Sequence, residues 1–84
     1  MSQEFDGRTT EILCSVIKSL AAASAPHGIP IQRVVKIIDF SCNDQLGTRL
    51  ESYGVVKFLE NHIDSSMVTI YQGMLVLSRT LKKD

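Results

Sequence analysis

Two amphipathic segments joined through a Gly-Ile-Pro entry, a third striped segment, and two β-rich runs only two residues apart predict an α+β fold. In the order helix, short strand, helix, helix, hairpin, these elements describe a winged helix-turn-helix: three main helices, a short strand and a C-terminal β-hairpin wing. At 84 residues the chain is just long enough for one apolar core to hold it, so a single domain is expected. The apolar fraction of 44% and the charged fraction of 21% are those of a globular chain and exclude a disordered one.

The first helix is predicted over residues 10–23, where Leu13, Val16, Ile17 and Leu20 recur at spacings of three and four. Glu11, Ser15, Lys18 and Ser19 fall opposite that stripe. Asp6 or Thr9 supplies the cap, and Ser24-Ala25-Pro26-His27-Gly28 supplies the stop. Ile29-Pro30-Ile31 is then extended, because a residue preceding proline is driven out of the helical region.

A second helix is predicted from Gln32 to Asp39 or Phe40, with Ile31, Val34, Val35 and Ile38 as its core stripe. Arg33, Lys36, Ile37 and Phe40 lie off that stripe. Residues 41–47 carry turn residues without a sustained period and are expected to form a loop, either irregular or holding one helical turn, anchored by Leu46 and Leu50. Ser52 is a candidate cap for a third helix through His62, with Val55, Phe58, Leu59 and His62 on one face and Lys57, Glu60 and Asn61 outside.

The runs Met67-Val68-Thr69-Ile70-Tyr71 and Met74-Leu75-Val76-Leu77 flank Gln72-Gly73, the spacing of a tight hairpin whose glycine permits positive φ. Residues 1–8 are thus an N-terminal extension, 9–78 the winged-helix domain, and 79–84 a basic tail. That tail is either a frayed terminus or the start of an additional helix.

Nine Lys and Arg balance nine Asp and Glu, so the chain has no global basic field of the kind that drives non-specific nucleic-acid binding. Cys14 and Cys42 are too few for a disulfide framework and read as reduced, buried thiols. The acidic N-terminus has no signal-peptide pattern and no run is long enough for a membrane span, so a cytosolic or nuclear protein is expected.

Neither cysteine has a histidine at a suggestive spacing, so no nucleophile–base pair stands out and an enzyme is not expected. His27 falls in the breaker loop and His62 near a helix end, with no paired spacing for zinc. The scattered glycines form neither a P-loop nor a dinucleotide fingerprint, and no cofactor is expected. As a DNA reader the third helix is poorly equipped, offering Lys57 and Asn61 beside Glu60.

The second helix is more informative. Arg33 and Lys36 flank Ile37 and Phe40 on a side its core stripe leaves free, and apolar groups rimmed by cations suit protein docking. In the competing arrangement Phe40 lies past the helix end and folds back into the core, with Ile37 peripheral. Strand pairing between copies is a further expectation, since residues 74–77 are apolar on both faces and would offer an edge for a homodimer through the wing.

Glu11-Ile12-Leu13 in the opening helix, Gly28-Ile29-Pro30-Ile31, the run Tyr53-Gly54-Val55-Val56-Lys57-Phe58-Leu59-Glu60, and the strands from Val68 to Leu77 together resemble the LOTUS domain family, also called OST-HTH. The resemblance covers roughly residues 9–78. It departs at Leu50-Glu51-Ser52-Tyr53, where family members often carry Leu-Gly-aromatic.

LOTUS domains occur in germline proteins such as Oskar and several Tudor-domain proteins. Extended versions bind the C-terminal RecA-like lobe of Vasa-type DEAD-box helicases. The resemblance therefore implies a cytoplasmic helicase-docking module of germ granules, using Gln32, Arg33, Lys36, Ile37 and Phe40 with Arg79 and Leu81 from the tail. Minimal versions are associated with G-rich and G-quadruplex RNA, for which Arg49, Lys57, Arg79, Lys82 and Lys83 are the candidate contacts.

Overall fold

A computed structural model describes residues 5–41 and 45–81. The described chain is an α+β fold of winged-helix-like architecture: α1 (Gly7–Ser24), β1 (Ile29–Pro30), α2 (Ile31–Ser41), α3 (Leu46–Tyr53), α4 (Val55–His62), β2 (Val68–Tyr71) and β3 (Met74–Leu77). A 3-10 turn, Ser78–Leu81, follows β3.

Helix α1 begins where the Asp6 carboxylate accepts the Thr9 backbone N–H at 2.8 Å, which identifies Asp6 rather than Thr9 as the cap. Leu13, Ile17 and Ala21 are completely buried, and Val16 and Leu20 pack beside them. The helix ends at the expected breaker, with Ala25 as its C-cap.

Helix α2 buries Val34, Val35 and Ile38, with Ile31 partly covered. The expected loop over residues 41–47 gives way at Leu46 to an eight-residue helix, so the described residues hold four α-helices rather than three. Leu46 and Leu50 do anchor this segment in the core.

Gly47 misleads as a breaker. It lies inside α3 because a β-carbon there would run into the Val35 carbonyl oxygen of α2, leaving no room for a side chain. The Asp39 carboxylate of α2 fastens the same contact, accepting the Thr48 hydroxyl at 2.7 Å and the Thr48 backbone N–H at 3.1 Å. An acidic side chain on the first turn of α3 also complements that helix end.

Ser52 lies within α3 and caps nothing; the break falls two residues later. Gly54 has φ of 110°, a conformation that favours glycine, and serves α3 and α4 together. Its N–H donates to the Leu50 carbonyl and its own carbonyl accepts the Phe58 N–H, each at 2.9 Å. Beyond it α4 turns Val55, Phe58 and Leu59 into the core.

The three strands form an antiparallel sheet in the order β1-β3-β2. Gln72 and Gly73, with φ of 53° and 77°, make the two-residue connection between β2 and β3, matching a primed hairpin turn. Pro30 is tolerated because β1 is an edge strand, where a missing ladder donor costs little. Residues 74–77, expected to offer a free edge, form the central strand and are paired on both sides. The wing's open edge is β2.

Two predictions follow from these contacts. Gly47→Ala lowers stability by about 1–3 kcal/mol in chemical denaturation, since the α2 backbone has to move to admit the methyl group. Acid also weakens the fold through three carboxylates held below their ordinary value of 3.8: Asp6 by the Thr9 N–H, Asp39 by the Thr48 hydroxyl, and Asp64 by the Ser66 N–H. Their contribution is complete above 3.8 and disappears as pH falls through the lowered values, so wild type loses stability there and the variant carrying Asn at all three positions loses less.

Candidate functional site

A groove runs along the outer side of α2, opposite the stripe that enters the core. Pro30, Gln32, Arg33, Lys36, Ile37 and Phe40 line its volume of about 620 Å³. The helical period produces it: with Val34, Val35 and Ile38 turned inward, Gln32, Arg33, Lys36 and Phe40 face solvent on the other side.

Phe40 does not fold back. It is part of α2 and 91% exposed, by far the most exposed large apolar side chain among the described residues. Ile37 is half-buried, packing against the core from below and lining the groove from above. Arg33, Lys36 and Gln32 are exposed. Asp39, the acidic residue of α2, is engaged by Thr48 and does not line the groove.

All five docking candidates on α2 thus share one concavity. Arg79 does not join them: it lines a separate groove of about 300 Å³ with Lys18, Ala22, Met67 and Leu77. The side chain of Leu81 and residues Lys82 and Lys83 lie outside the described residues.

A second cluster was not legible from spacing. Phe5 packs at 5.5 Å from Tyr53 and 5.9 Å from Phe58 (ring centroids), with Arg49 over the Phe5 ring at 5.2 Å and Lys57 over the Tyr53 ring at 5.1 Å. Asn61 donates to the Tyr53 hydroxyl at 3.3 Å. Two of the five cations expected for RNA therefore meet at an aromatic corner of α3 and α4. The only sequence signal was Phe5, eight residues before Leu13, the first residue of any expected stripe, and four before the domain's expected start.

Elsewhere the chemistry is sparse. Cys14 is half-buried rather than fully buried; its thiol faces the His62 carbonyl at 3.8 Å, and desolvation raises its pKa, which suppresses the nucleophilic thiolate. Cys42 lies outside the described residues. His62 is exposed with its ring 4.7 Å from that of Phe58, and His27 is exposed in the turn after α1. Among the described residues no group of three His, Cys, Asp or Glu side chains could hold a metal ion, and no helix is long and apolar enough to cross a membrane.

Compared with known proteins, the chain matches no family model, no curated protein and no solved structure.

The geometry separates side chains that hold the fold from those that do not. Ile38→Ala, in the buried stripe, costs about 2–5 kcal/mol in thermal or chemical unfolding. Phe40→Ser, two residues on, changes stability by no more than about 0.5 kcal/mol, because that ring is already in water.

Proposed function

We propose that the domain is a protein-docking module, not an enzyme, and that the outer face of α2 is its binding surface. The observation that carries this reading is the α2 groove, in which an almost fully exposed phenylalanine and a half-buried isoleucine sit beside two cations. Keeping a large aromatic in water gains nothing for folding, whereas aromatic anchors ringed by polar groups dominate the energetics of protein interfaces.

The resemblance to LOTUS domains supplies the partner: the C-terminal RecA-like lobe of a Vasa-type DEAD-box helicase, bound in the cytoplasm at germ granules. Gln32, Arg33, Lys36, Ile37 and Phe40 form the contact, extended by Arg79 and Leu81 where the tail reaches the partner.

A second reading, binding of G-rich RNA, has one observation in its favour. Arg49 and Lys57 stand together beside Phe5 and Tyr53, and cations next to aromatic rings suit the backbone and bases of a single strand.

Titration of the domain against the helicase lobe, and in parallel against a G-quadruplex RNA, separates the two. Docking predicts saturable binding of the lobe that Ile37→Glu weakens at least about 30-fold, a hot-spot loss of roughly 2 kcal/mol. Under this reading Arg49→Gln and Lys57→Gln leave that affinity unchanged. Binding of RNA alone, lost with Arg49 and Lys57, refutes docking and establishes the second reading.

A further inference from the structure

Arg33 and Lys36 are placed where they cost the fold stability. Arg33 is the third residue of α2, in the first turn, where a cation opposes the helix dipole. Lys36 stands three residues along, the spacing at which like charges repel across a helix face. Among the described residues neither forms an ion pair, and none of the six residues lining the groove is acidic. The one carboxylate on the helix, Asp39, is held by Thr48.

From this we infer that the groove selects a partner segment of defined chemistry: carboxylates that face Arg33 and Lys36, followed by an apolar side chain that packs on Ile37 and Phe40. The inference rests on the docking reading and specifies what the helicase lobe presents. Charge complementarity fixes which part of the segment lies where, because the cations Arg33 and Lys36 precede the apolar pair Ile37 and Phe40 along α2. A basic or purely apolar segment meets two uncompensated cations and is rejected.

The test is titration of the intact domain with the helicase lobe at about 50 mM and about 300 mM salt, repeated with Arg33→Gln/Lys36→Gln and with the charge-conserving Arg33→Lys/Lys36→Arg. Thermal unfolding is recorded for each variant. The expected result is affinity that falls with salt in wild type, a loss of about tenfold or more at low salt when both charges are removed, near-recovery in the charge-conserving variant, and an unfolding temperature for the neutral variant equal to or above wild type. A stability gain accompanied by a binding loss is what a merely structural role does not produce.

Lobe binding that ignores both salt and the neutral variant, yet is lost in Ile37→Glu, overturns the inference and leaves docking intact. A neutral variant that unfolds early shows the charges serve the fold and also overturns it. A wild-type domain that binds no lobe at either salt removes the docking reading and this inference together.

Discussion

The contact between the backbones of α2 and α3 at Gly47 is the constraint on which the rest of the structure depends. At that point the second helix tolerates no side chain from the third. The approach lets Leu46 and Leu50 reach the core occupied by Val34, Val35 and Ile38, and the Asp39–Thr48 hydrogen bonds lock the two helices at their crossing. Once α3 occupies that side of α2, the inner stripe is fully used. What remains for the solvent is the face carrying Gln32, Arg33, Lys36, Ile37 and Phe40. The groove is therefore a consequence of how the core closes, presented on a helix fixed on its other faces by α1, α3 and the sheet.

The positions where the chain was readable are those where local signals and burial agree. Leu13, Ile17, Val34 and Ile38 repeat at helical spacing and are buried, and Gln72-Gly73 carries the hairpin it suggests. The α2 face was legible for the same reason, since a stripe that enters the core defines by elimination the side that does not. The failures are tertiary in origin. Gly47 has the residue type of a breaker, yet its place in a helix follows from the neighbouring backbone, which no local pattern reports. Leu50, Val55, Phe58 and Leu59 keep an apolar rhythm across Gly54, so the division into α3 and α4 depends on a single positive φ. The aromatic corner was equally hidden, because Phe5 meets Tyr53 and Phe58 across about fifty positions of sequence.

Two features of the site do nothing for the isolated fold: an aromatic ring in water adds no burial, and two unpaired cations near the start of a helix oppose its dipole. Proteins keep such features where a surface has a task, and both fall here on one face. The aromatic corner of α3 and α4 is different in kind. Its rings cover one another and its cations rest on them, so it closes the α3–α4 junction as much as it presents a surface.

The most direct test of the central claim, that the free face of α2 is where this domain meets its partner, is chemical-shift mapping on the isotopically labelled chain as the helicase lobe is added. The account predicts that perturbed amides cluster on Gln32, Arg33, Lys36, Ile37 and Phe40, while those around Arg49, Tyr53 and Lys57 stay in place. Perturbations centred on the α3–α4 corner or along β2, with α2 silent, would contradict it.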